Sequence, residues 1–144
     1  MYRIEKRFTV PIGHRLSKHK GRCFSIHGHN FTILVGLKAE KLNENDMIID
    51  FSDLKAVAGA VIDQYDHKLL VNSNDKEWMS KLAKELDIRA TIFDHDGHDP
   101  TAERLSEQLF NTLFQLFDQM DFQFEVEYVT VYENENSKAT YSLT

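Results

Sequence analysis

The chain has 144 residues, one cysteine, 28% charged residues and a formal net charge of -6. That balance fits one soluble domain with a modest core, excludes a disordered chain, and argues against general nucleic-acid binding, which needs a basic surface. A lone Cys23 cannot close an internal disulfide, the segment Met1–Arg7 alternates charge with no apolar signal core, and the longest small-apolar run, Ala56–Ile62, cannot span a bilayer, so a cytoplasmic protein is expected.

Residues 2–10 alternate, with Tyr2, Ile4, Phe8 and Val10 on one side and Arg3, Glu5, Arg7 and Thr9 on the other, which predicts a half-buried strand. Residues 27–39 repeat the pattern. There His27 and His29 share parity with Phe31, Ile33, Val35 and Leu37, so both imidazoles lie on the core face. After a turn at Asn43–Asp46, a helix is predicted from a Ser52 cap through Leu54, Val57, Ala58, Val61, Ile62 and Tyr65. A weaker helical pattern covers 76–87, and 88–93 suits a short strand. The polar loop 94–100 is expected to be solvent-exposed, with Asp99 capping and Pro100 opening a helix that runs to about Asp118. Strands at 122–133 and 139–143 flank a turn at 134–137. The fold class is therefore α+β, a four-stranded antiparallel sheet with helices on one face. Its open edges favour pairing between identical chains.

Chemistry concentrates in Cys23-Phe24-Ser25-Ile26-His27-Gly28-His29. Two histidines two apart on a strand point the same way and can grip one ion, and His14 ends another strand-like run upstream. Three protein ligands leave a position open for water or substrate, the catalytic zinc pattern. The bland alternative is polar side chains packed under a helix; the parity and the nearby thiol favour the metal. Cys23, alone, would read as a small hydrophobe, but Lys18, Lys20, Arg22 and a bound dication favour a thiolate usable as a base. The basic segment 15–22 fits an anion site suited to phosphates. Asp66-His67 reads, on composition, as a helix-end histidine. His95 and His98 with Asp94, Asp96 and Asp99 offer a second metal site only as a minor alternative, since no EF-hand spacing is present.

Taken in order, His14-Arg15-Leu16, Cys23-x-x-x-His27-Gly28-His29-Asn30, Ile49-Asp50-Phe51 with Leu54-Lys55, Asp66-His67, Pro100-Thr101-x-Glu103 and Val131-Tyr132-Glu133 resemble the 6-pyruvoyl-tetrahydropterin and 6-carboxytetrahydropterin synthase family. The resemblance spans most of residues 1–144 as a single domain. It implies a tunnelling fold whose sheets join edge to edge into an oligomeric barrel, commonly a hexamer. It implies zinc on His14, His27 and His29, Cys23 as the proton-abstracting base, and Asp66 with His67 as a proton-transfer pair lent by a neighbouring subunit at a seam. Glu133 matches the carboxylate that anchors the pterin, and Thr101 lies in a matching loop. The short Cys23–His27 spacing is similar to the carboxy-forming lyases of queuosine biosynthesis, which convert 7,8-dihydroneopterin triphosphate to 6-carboxy-5,6,7,8-tetrahydropterin, acetaldehyde and triphosphate. The alternatives are the pyruvoyl product or a zinc-bearing pterin binder without turnover. Residues 72–99 are longer than the usual connection and read as an insertion that touches no matched site residue.

Overall fold

The period-2 pattern of the N-terminal half is realised as two long strands. In the computed structural model, which describes residues 1–94 and 96–144 and all of their side chains except those of Lys76, Trp78 and Asp94, β1 (Tyr2–His14) pairs antiparallel with β2 (His27–Ala39). The register is unbroken from Tyr2 opposite Ala39 to His14 opposite His27. Even positions of β1 and odd positions of β2 therefore share a face. Val10, Ile12, His14, Phe31, Ile33, Val35 and Leu37 are all buried on it.

β2 is flanked on its other side by β5 (Glu125–Asn134), and β5 by β6 (Ser137–Tyr141), both antiparallel. These four strands form the antiparallel sheet anticipated from sequence, but the sheet has six strands and is mixed. Two more extend it beyond β1: the unanticipated β3 (Leu69–Asn72) runs parallel to β1 at Gly13 and His14, and β4 (Ala90–Asp94), the short strand expected at 88–93, runs parallel to β3. The full order is β4-β3-β1-β2-β5-β6. A parallel step needs a crossover, which α2 (Lys76–Leu86) provides between β3 and β4. Residues 72–99 thus carry regular structure of their own, with Met79 packed on Leu69 and Val71.

The helices α1 (Phe51–Ile62) and α3 (Ala102–Gln119) belong to the core cluster on the inner face of the sheet. Leu105, Leu109, Phe110, Leu113 and Phe117 form the buried stripe of α3 at helical spacing. Truncating a fully buried residue such as Leu109 to Ala would cost roughly 2–5 kcal/mol. Two helix starts differ from expectation. Asp50, not Ser52, caps α1, its Oδ1 accepting from the Ser52 N–H at 2.7 Å, because the helix begins two residues earlier. Thr101, not Asp99, caps α3, its Oγ1 accepting from the Arg104 N–H at 3.2 Å. The expectation that residues 94–100 face solvent fails at Gly97, Asp99 and Pro100, which are buried. The Asp99 carboxylate has been drawn inward by donors from elsewhere in the chain, a tertiary pull that outweighs the local cap. Among the described residues, no helix is long and apolar enough to cross a membrane.

Candidate active site

Strand pairing builds the centre of the site. Because His14 faces His27 across the last rung of the β1–β2 ladder and His29 sits one inward step along β2, three imidazoles gather at one end of the inner face. Their ring centroids are 4.5, 5.1 and 5.0 Å apart, and one nitrogen from each lies within 4.8 Å of the others. Phe31, the next inward residue of β2, sets its ring edge-on to His14 and His29 at 5.6 and 5.2 Å, an apolar floor.

The ring orientations are fixed from behind. His14 Nδ1 lies 2.8 Å from the carbonyl oxygen of Pro100, and His27 Nδ1 lies 2.7 Å from that of Ser25. A carbonyl only accepts, so both Nδ1 atoms carry the proton and both Nε2 atoms present lone pairs. Those two Nε2 atoms stand 3.0 Å apart, and His29 Nε2 is buried with no hydrogen-bond partner. Lone pairs facing one another beside an orphaned buried nitrogen form an unfavourable arrangement that a shared cation satisfies, and carbonyl-bound Nδ1–H groups are the usual backing of ligating histidines. The donor set fits a divalent metal bound by three imidazoles. Burial lowers the His14 pKa, aided by the neighbouring His27 and His29, while the Pro100 carbonyl and Glu133 act the other way; the net direction favours the neutral, ligating imidazole. Among the described residues this is the sole cluster of three such ligands, and His95 of the alternative loop site lies outside them.

The remaining predicted residues surround this centre at different depths. Cys23 is half-buried in a single helical turn, Arg22–Phe24, within the β1–β2 connection, and its carbonyl accepts the Leu16 N–H at 2.9 Å. Glu133 is half-buried near the end of β5, at a bulge in the β5–β6 pairing, and stands near enough to the trio for its charge to act on His14. Thr101 is half-buried beside Pro100, with its hydroxyl engaged in the α3 cap.

Asp66 and His67 do form a bonded pair, which the sequence alone disfavoured. His67 Nδ1 is 2.6 Å from Asp66 Oδ1, and His67 adopts a left-handed backbone (φ 56°) with its N–H donated to the Pro11 carbonyl. That conformation is uncommon for a residue with a side chain and tends to persist where surroundings enforce it. The pair is exposed, and His67 borders a groove lined also by Gly13, Gly28, His29 and Asn30. Sequence reasoning missed the two carbonyls of Ser25 and Pro100 and the buried Asp99. Backbone acceptors leave no residue-type signature.

Comparison with known proteins agrees with this architecture. A family model described as 6-pyruvoyl tetrahydropterin synthase matches residues 3–143. A protein of Rickettsia typhi named 6-carboxy-5,6,7,8-tetrahydropterin synthase is 31% identical over 139 residues, 94% of this chain and 96% of its own. One of Haemophilus influenzae with the same name is 29% identical, covering 98% and 99%. Among solved structures, an uncharacterized protein from Wolinella succinogenes superposes with a TM-score of 0.77 at 19% identity, covering 99% and 98% of the two chains. The 6-pyruvoyl tetrahydropterin synthase of Caenorhabditis elegans does so at 0.73 with 21% identity, covering 99% and 96%. The chain belongs to the 6-pyruvoyl tetrahydropterin synthase family. It has the tunnelling fold and is an enzyme of the lyase class.

Proposed function

We propose that this enzyme converts 7,8-dihydroneopterin triphosphate and water to 6-carboxy-5,6,7,8-tetrahydropterin, acetaldehyde and triphosphate, a step of queuosine biosynthesis in the cytoplasm. The observation that carries the reading is the imidazole trio, with two Nδ1 atoms pinned and a third nitrogen orphaned, in a chain whose full-length relatives bear the carboxy-forming name.

His14, His27 and His29 would hold zinc, which supplies Lewis acidity toward the hydroxyl oxygens of the substrate side chain and makes the adjoining C–H more acidic. Cys23, as thiolate, takes that proton. Asp66 orients His67 and holds its Nδ1 proton, so the free Nε2 exchanges a proton with the side chain at the far end of the relay. Glu133 accepts paired hydrogen bonds from the amino and ring N–H groups of the pterin, a geometry a carboxylate matches well. Thr101 lies close enough in the chain to Pro100 to border the same end of the sheet. The basic segment 15–22 receives the triphosphate, which leaves as the electron pair moves through the ring.

The Asp66–His67 pair is supplied by a neighbouring copy in this reading. In its favour, the pair is exposed and, among the described residues, held by no other side chain, whereas His14 of the trio is buried. β1 is paired with β3 only at Gly13 and His14, so most of that edge is available to another chain, as is β6 at the opposite edge. In this reading the chain assembles as a barrel-forming homo-oligomer, a hexamer with sites at its seams, which free edges on both sides of the sheet support.

The test is incubation with 7,8-dihydroneopterin triphosphate, product identification by mass spectrometry and metal analysis of the purified protein. A 6-carboxy product with acetaldehyde and about one zinc per chain is expected. 6-Pyruvoyltetrahydropterin would transfer the protein to the other branch of the family, and bound pterin without turnover would reduce it to a binder.

A further inference from the structure

Residues 72–99 have no part in the chemistry above, yet their side chains reach directly into the connection that bears Cys23. Asp99 Oδ1 accepts the Ser17 hydroxyl at 2.6 Å, and its Oδ2 accepts the Lys18 N–H at 2.8 Å. Asn72, almost fully buried, donates from Nδ2 to Asp99 Oδ1 at 2.7 Å, to the Gly97 carbonyl at 3.0 Å and to Ser17 Oγ at 3.3 Å. Asp75 lies 3.5 Å from Arg15 Nε, and the Arg15 guanidinium in turn lies over the Phe24 ring at 4.2 Å. Phe24 follows Cys23 in the same short turn, and Leu16 N–H holds the Cys23 carbonyl. Two lines of contact therefore run from the segment to the thiol's turn.

A buried carboxylate is costly unless several donors satisfy it. Burial pushes the Asp99 pKa up, but hydrogen bonds from Ser17, Asn72 and the Lys18 N–H outweigh it and hold the carboxyl below the ordinary value. Such an anion is a rigid node. Its next residue, Pro100, offers the carbonyl that orients His14. One short stretch of backbone thus fixes both the loop of the base and a ring of the metal centre.

We propose that Asn72, Asp75 and Asp99 are positioning residues, and that the 72–99 segment serves as a buttress holding the Cys23 loop in register with the imidazole trio. The catalytic consequence rests on Cys23 being the base; the mechanical claim does not. Because Cys23 is the sole cysteine of the chain, its alkylation by iodoacetamide in the native, metal-loaded protein reports loop order without interference. Asp99→Asn and Ser17→Ala should each raise the alkylation rate about tenfold, the loss of one hydrogen bond to a charged group. Both should lower kcat/KM by a similar factor with metal content kept, and Ser17→Thr, which retains the hydroxyl, should restore both readouts. If Asp99→Asn does not fold, Ser17→Ala decides alone. Unchanged alkylation and kinetics in the folded variants would overturn the proposal. Full turnover by Cys23→Ala would instead overturn the assignment of the base and leave the alkylation result to judge the buttress.

Discussion

The imidazole trio and the Asp66–His67 pair are built on opposite terms. His14 is 1% exposed and each of its ring nitrogens has a neighbour within 3.0 Å, whereas the His67 side chain is 79% exposed and held by one carboxylate. Sheet register completes the first within one chain. The second depends on a two-residue turn and has an open side. The contrast matches the proposed roles: a metal centre gains from fixed distances in the core, and a proton-transfer pair from access where another surface can close over it.

The sharpest way to break this contrast is His27→Ala. It should lose both metal and turnover, with activity falling to background, because two imidazoles on a strand cannot hold the ion alone. Metal analysis alongside the product assay checks it; retained metal would mean that the trio is not the ligand set. Next in size is Cys23→Ala, expected to keep metal and lose about 10²–10⁴-fold in kcat, the usual worth of a general base.

Asp66→Asn should cost somewhat less in kcat, about 10²-fold, and almost nothing in stability, since an exposed ion pair contributes roughly 0–1 kcal/mol. It also sharpens the comparison. Unfolding and refolding a mixture of Cys23→Ala and Asp66→Asn chains should recover activity if the pair serves a neighbour's trio. A mixture as inactive as its components would place base and pair in the same chain.

The smallest effect concerns pH. The folded pKa of Asp99 is depressed, so its contribution to stability is present above the unfolded value of about 3.9 and fades as pH falls through the lower folded value. The stability gap between wild type and Asp99→Asn, followed by denaturant unfolding, should therefore be constant near neutrality and shrink below about pH 4.

How far these features could be read in advance depended on how local their causes are. β1, β2 and the shared parity of His27 and His29 follow from alternation, which a strand with one solvated face imposes on its own sequence, whereas Glu133 was reached only through the family resemblance. β3 escaped because all four of its residues are buried, leaving no alternation to detect. Asp99 before Pro100 carries a helix-start signal, and only the fold brings Ser17, Lys18 and Asn72 around it. The Asp66–His67 bond was hidden for a related reason: neighbours in sequence meet only when the backbone turns left-handed, and the Pro11 carbonyl that holds His67 there is distant in the chain.

The unbroken β1–β2 ladder has one more consequence. Sliding β1 by a single position would send His14 through the sheet to the solvated side and leave His27 and His29 without their third ligand. If the trio binds zinc as proposed, metal capture becomes a proofreading step for strand alignment, and zinc supplied during refolding should enrich the aligned form over any slipped one.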